Sequence, residues 1–138
     1  MKLLIVGLGS MGKRRARLAQ GMDDTLEIFG VDSAEARRAE AQTLGLVTAA
    51  YAGIDEAVNA AHPDAALVCT APLSHAGIIS ELLDHDLPVF TELNLVRDGY
   101  AENMAKAAQK QLPLFLSSPM LYRRETQYIK QAVQHFGK

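Results

Sequence analysis

Two segments of the chain carry residue types from which a binding site could be built. The first is V-G-L-G-S-M-G, residues 6–12. Gly7, Gly9 and Gly12 stand there at the spacing G-x-G-x-x-G, with Leu8, Ser10 and Met11 between them. The second is C-T-A-P-L-S-H, residues 69–75, echoed further on by T-E-L, residues 91–93. A glycine turn that opens a helix offers free backbone amides and the positive end of the helix dipole, which together suit a phosphate group. Gly7 permits the tight turn, Gly9 lets a diphosphate approach the backbone, and Gly12 lets the helix pack close to the sheet. Asp32 follows about twenty residues later, at the end of the next apolar run, where a carboxylate can accept from both hydroxyls of a ribose. Loop and acid together point to a dinucleotide. A 2′-phosphate would meet that carboxylate unfavourably, so NAD is favoured over NADP, while Ser33, Arg37 and Arg38 leave NADP open. The other reading of these residues is a plain glycine-rich turn with Asp32 as a helix cap.

Such a site needs strands that end together. Short apolar runs alternate with amphipathic stretches along the whole chain, at Leu3–Val6, Leu26–Val31, Leu46–Ala50, Ala65–Ala71, Val89–Leu93 and Leu114–Ser117. Fully apolar runs of this length suit strands covered on both faces. Helices are predicted over Met11–Gln20, Ala34–Leu44, Ile54–Ala61, a segment capped by Ser74, one from Asp98 to about Gln111, and Arg123–Phe136. Gly45 stands where a C-terminal cap belongs. About six strands alternating with helices predict an α/β fold, a three-layer, doubly wound parallel sheet of Rossmann type. In such a sheet ligands bind beyond the carboxyl ends of the strands, which places Thr70, Ala71, Pro72, Leu73, Ser74, His75 and Glu92 toward the crevice bordered by the glycine loop. His75 can serve the cofactor or act as a capping or packing residue. Glu92 can bind a ribose hydroxyl near the nicotinamide or pair with a cation. Most of the basic run Lys13–Arg17 is expected to face solvent.

With 138 residues, 49% of them hydrophobic, the chain fits one domain and one core. A net charge of −2 argues against a nucleic-acid partner. The single cysteine, Cys69, can form neither an internal disulfide nor a cysteine-based zinc site and reads as a small buried strand residue; no metal site is expected. The opening M-K-L-L-I-V-G-L-G is short for a signal peptide and is followed at once by basic residues, so it reads as a strand. No apolar stretch approaches the ~20 residues of a membrane helix. The expectation is a soluble, cytoplasmic protein.

The sequence resembles the N-terminal domain of the glucose–fructose oxidoreductase, inositol dehydrogenase and MocA-like oxidoreductases. Gly7, Gly9, Met11 and Gly12 match that family's G-x-G-x-M-G, and Asp32 its acidic residue after the second strand. Thr70, Pro72 and His75 resemble its T-P-x-x-x-H with Ala71 interposed, and Arg123–Arg124 its arginine pair. The resemblance implies NAD(P) binding through Gly7–Gly12, Asp32, Thr70–Pro72, His75 and Glu92. It also implies hydride transfer with a sugar, polyol or sugar-nucleotide derivative, and a homo-oligomer. Two departures stand out. Where the family has E-K-P, this chain reads Glu92, Leu93, Asn94; leucine cannot move a proton, so the position of the family's catalytic lysine is vacant and no catalytic residue is identified. The family also carries a second α/β domain that binds substrate, which is absent from these 138 residues. The chain therefore reads as a fragment, residues 1–138 forming the dinucleotide-binding domain. Two further readings stand beside the oxidoreductase: a non-catalytic dinucleotide sensor or partner-binding module, and a Rossmann domain for another ligand such as S-adenosylmethionine or a flavin nucleotide.

Overall fold

Leu3–Val6 contains no polar side chain, and the first strand, β1 (Lys2–Val6), is buried between two layers of helices. A computed structural model describes residues 1–93 and 96–136, so Asn94 lies outside the described residues. Along β1 successive side chains alternate between faces. Leu4 and Val6 join one core, with Phe29, Val31, Val68 and Val89. Ile5 joins the other, with Leu8, Ile28, Leu67 and Cys69.

The remaining elements follow in strict alternation: α1 (Ser10–Met22), β2 (Glu27–Val31), α2 (Glu35–Thr43), β3 (Ala49–Tyr51), α3 (Ile54–Ala61), β4 (Ala65–Val68), α4 (His75–Asp84), β5 (Val89–Thr91), α5 (Tyr100–Gln109), β6 (Leu114–Leu116) and α6 (Arg124–Phe136). All pairings are parallel and the order is β3-β2-β1-β4-β5-β6. The doubly wound α/β sheet expected from the alternation is the architecture found. Residues of α3, α4 and α5 cover the first face through Ile54, Ala57, Ile79, Leu82, Leu83 and Ala107. Ala16 of α1 and Ala41 of α2, with Leu46 and Val47, cover the second. The chain leaves one edge after β3 and re-enters beside β1 as β4. The strand order therefore reverses at β1/β4, the place where a parallel sheet opens a crevice at its carboxyl edge.

Several boundaries differ from expectation. The third strand is Ala49–Tyr51 rather than Leu46–Ala50. Leu46 and Val47 are apolar because they pack beneath α2, and the ladder to β2 begins only where the Thr48 amide reaches the Ile28 carbonyl at 2.7 Å. The fourth and fifth strands stop at Val68 and Thr91; the Cys69 amide still reaches the Val6 carbonyl at 2.7 Å and the Glu92 amide the Val68 carbonyl at 3.0 Å, and Thr70–Ala71 and Leu93 lie past the ladder. Ser74 occupies the N-cap position of α4 as expected but makes no side-chain capping bond; its hydroxyl bonds Thr70 Oγ1 at 2.9 Å and the Ala71 carbonyl at 2.8 Å. Asp98 does not cap α5, whose N-cap is Gly99 in the left-handed region at φ 68°. On α6 the apolar stripe Tyr128, Ile129, Val133 and Phe136 is exposed. No helix among the described residues is long and apolar enough to cross a membrane.

Candidate functional site

The site begins with the turn between β1 and α1. Gly7 sits at φ 95°, a conformation that side chains rarely adopt, and its amide donates to the Val31 carbonyl at 2.7 Å. A Cβ on Gly12 would lie 1.8 Å from the Gly7 carbonyl oxygen, so only glycine lets α1 start this close to β1. Gly9 is the N-cap of α1. That helix end has no capping side chain and no acidic residue in its first turn. Its amides therefore present an uncompensated positive end to whatever occupies the space in front of them.

That space is a cleft of about 730 Å³ at the carboxyl edge of the sheet, within the range of a small-molecule or cofactor site. Gly7, Gly9, Ser10 and Met11 line it, together with Asp32, Ser33 and Arg37 after β2, and Cys69, Thr70, Ala71 and Ser74 after β4. Ala52, Gly53 and Ile54 at the start of α3, and Ile78 and Glu81 on α4, complete the walls. Asp32 is buried. One carboxylate oxygen accepts the Leu8 amide at 2.9 Å and the other the Ala34 amide at 2.9 Å. The acid thus clips the glycine loop to the end of β2, and each oxygen keeps a lone pair for a further donor. The exposed Arg37 guanidinium lies 3.5 Å from Asp32. Arg38 is turned onto the backbone, donating to the Asp32 carbonyl at 2.7 Å and the Ser33 carbonyl at 3.1 Å.

The other residues singled out from the sequence stand behind these walls. Leu8 and Gly12 are buried under the loop. Pro72 and Leu73 form the 3-10 turn that leads into α4. His75 is 1% exposed, and its Nε2–H donates to the Thr70 carbonyl at 3.0 Å, with Nδ1 3.5 Å from the Thr91 hydroxyl. Its position is that of a packing residue which holds the cleft-lining Thr70 segment from beneath. Glu92 is hydrogen-bonded to Arg15 Nε, and Arg15 Nη2 also donates to the Ser117 hydroxyl at 3.1 Å. This contact ties α1 to the ends of β5 and β6, and it raises the Arg15 guanidinium above its already high ordinary value. Leu93 is exposed just past β5. The basic run is expected to face mostly solvent, and Arg15 departs from that; the signal that could have found it is its place three residues after Gly12 and four before Ala19, on the buried stripe of its helix. Lys13 likewise faces a partner, Glu40 of α2, at 2.5 Å. Arg123 and Arg124 lie at the start of α6 and do not line the cleft. Among the described residues no group of three or more His, Cys, Asp or Glu side chains is placed to hold a metal ion.

Cys69 shows how dry the floor of the cleft is. Burial pushes its thiol up to about 12 from the ordinary 9.0, and the Glu92 charge acts in the same direction. At pH 8 the folded chain is therefore expected to resist iodoacetamide, while the guanidinium-unfolded chain is alkylated fully, as read by intact mass. The unfolded state releases this proton first, so the contribution to stability is complete below pH 9 and is lost as pH rises toward 12. A Cys69→Ala variant should lose less melting temperature over that window than the parent.

The comparisons with known proteins bear on the family and the fold. Residues 1–118 match the family described as an oxidoreductase family with an NAD-binding Rossmann fold. The chain is 29% identical over 111 residues to inositol 2-dehydrogenase 1 of Paenarthrobacter aurescens (strain TC1), covering 79% of this chain and 33% of that protein. The probable dehydrogenase of Thermotoga maritima superimposes with a TM-score of 0.84 at 23% identity, over 100% of this chain and 42% of that one. The scyllo-inositol dehydrogenase of Lactobacillus casei, solved with NAD(H) and scyllo-inositol, gives 0.84 at 23% identity over 98% of this chain and 41% of its own. At these identities the structural likeness establishes the fold, and the chain spans well under half the length of each of the three. The chain belongs to the Gfo/Idh/MocA oxidoreductase family, and it carries that family's NAD-binding Rossmann fold.

Proposed function

We propose that the chain is the cofactor-binding domain of a cytoplasmic NAD-dependent oxidoreductase. The complete protein passes hydride between the nicotinamide and a sugar, polyol or sugar-nucleotide derivative, with substrate held by a second α/β domain outside these 138 residues, in a homo-oligomer. One observation carries the reading: the uncapped start of α1 and the Asp32 carboxylate face the same cleft, an anion site beside a hydroxyl acceptor. The diphosphate sits on the Gly7–Gly12 turn, the adenosine ribose on Asp32, and Thr70–Ala71 borders the path toward the nicotinamide. Pro72, His75 and Glu92 act from behind that wall as positioning residues. NADP remains a weaker second ligand through Arg37, because Arg38 is already committed to two backbone carbonyls.

A second reading is favoured by Leu93. The resemblance places a lysine there, and an exposed leucine supplies no proton. The complete protein would then bind the dinucleotide without turning it over and would report its presence to a partner. Calorimetry with NAD and NADP, joined to nicotinamide absorbance of the complete protein with a panel of sugars and polyols, separates the two. Turnover supports the oxidoreductase, binding without turnover supports the sensor, and no heat with either dinucleotide removes both.

Gly9→Val isolates the loop's part. A Cβ at Gly9 meets nothing within 4 Å, and its φ of −69° is open to any residue. The variant should stay folded and lose no more than about 1–2 kcal/mol, the cost of replacing glycine at a helix N-cap. It should bind NAD at least ~10-fold more weakly, because the new side chain stands where the diphosphate approaches the backbone amides.

A further inference from the structure

The cleft has two chemically different ends. One is the amide-rich turn at Gly7–Ser10. The other is lined by apolar side chains, Ile54 at the start of α3 and Ile78 on α4. A single acid, Glu81, completes that end. Ser74, Ile78 and Glu81 follow one another at helical spacing, so Glu81 lies on the cleft-facing stripe of α4, about 10 Å along the axis from Ser74. Its side chain is exposed and has no hydrogen bond or ion pair among the described residues. That sets it apart from its neighbours: Asp84 on the same helix is bound by Lys106 at 2.8 Å, Asp86 just beyond it by Lys110 at 2.7 Å, and Asp32 by two amides.

An apolar lining with one free carboxylate suits a flat ring that carries a hydrogen-bond donor on its edge. We propose that Glu81 selects the purine of the dinucleotide, accepting a hydrogen bond from the 6-amino group of adenine and disfavouring a ring with an oxygen at that position. The inference rests on the dinucleotide reading above and adds to it a residue that decides which base is taken. The selection has an attractive and a repulsive part. An amine gives a charge-assisted hydrogen bond, whereas a 6-oxo group sets oxygen against oxygen. Because Glu81 is exposed, water competes for it, and the preference is held to about 3- to 10-fold.

The test is calorimetric titration of the chain with NAD and with nicotinamide hypoxanthine dinucleotide, in which an oxo group replaces the 6-amine and the adjacent N1 carries a hydrogen. The parent chain should prefer NAD by that factor. Glu81→Ala should bring the two within about twofold, and Glu81→Lys, whose ammonium donates to the oxo group, should reverse the order. Both variants are expected to keep the parent's melting temperature, since the site is exposed and makes no contact within the fold. Equal affinity of the parent for the two dinucleotides, or a preference that survives in Glu81→Ala, overturns the role of Glu81 and leaves the dinucleotide reading standing. Failure of the folded parent to bind either one overturns both.

Discussion

Gly12→Ala is expected to destabilise the chain by at least ~4 kcal/mol, in the class of large effects that come from overpacking against fixed backbone. The added methyl would stand 1.8 Å from the Gly7 carbonyl oxygen and 2.9 Å from the Gly7 carbonyl carbon. Neither atom can step aside. Gly7 is held by the hydrogen bond that its N–H donates to the Val31 carbonyl, and α1 is held by Ala16 in the core and by Arg15 at the ends of β5 and β6. For a domain of this size the loss corresponds to a fall in melting temperature of about 10 °C or more. Gly21 is the internal control. It lies in the same helix with nothing within 4 Å of a built Cβ, so Gly21→Ala should be neutral or stabilise by up to about 1 kcal/mol. Thermal melts by circular dichroism read both. A Gly12→Ala chain that melts with the parent would mean that α1 can start elsewhere, and the close helix–strand contact would lose its place in the account of the site.

The parts of the fold that could be read from sequence are those in which one physical signal acts alone. Leu3–Val6 is apolar on both faces because both are covered, and the helix predicted over Ile54–Ala61 matches α3 to the residue, its amphipathic pattern running cleanly between Gly53 and the left-handed His62. The signal fails where two causes give the same composition. Leu46 and Val47 are as apolar as any strand, yet they serve packing under α2 while the ladder starts two residues later. Asp98 and Ser74 have the side chains of helix caps. In the fold, α5 is entered through Gly99 at positive φ, and Ser74 spends its hydroxyl on the Thr70–Ala71 turn. A cap is a geometry, and composition names only who is able to adopt it.

The site divides along similar lines. The glycine turn and Asp32 are legible because their spacing is itself the mechanism. His75 and Glu92 are legible as residues near strand ends, but not as residues facing inward or sideways, since that depends on what packs against them: Thr70 for the histidine, Arg15 for the glutamate. Ile54, Ile78 and Glu81 escape sequence reading altogether. Their common cleft exists only because α3 and α4 lie on the same face of the sheet, a fact of strand order and not of any local pattern.

Asp32→Ala should produce the largest loss of dinucleotide affinity of any single change in this chain, on the order of 30-fold or more, by two routes. It removes the acceptor proposed for the ribose hydroxyls, and it leaves the Leu8 and Ala34 amides without the partner that each holds at 2.9 Å. The second route loosens the loop and lowers the melting temperature whether or not the cleft binds a nucleotide. The two separate by comparing ADP with 2′-deoxy-ADP on the parent and on the variant, a cycle in which the loop's contribution cancels. If the carboxylate grips the ribose, the parent should prefer ADP by about 10-fold, as expected for a hydrogen bond to a charged group, and the variant should not distinguish the two. A parent chain that already ignores the 2′-hydroxyl would leave Asp32 as the clip of the glycine loop alone, and the ribose would have to be placed elsewhere along the cleft.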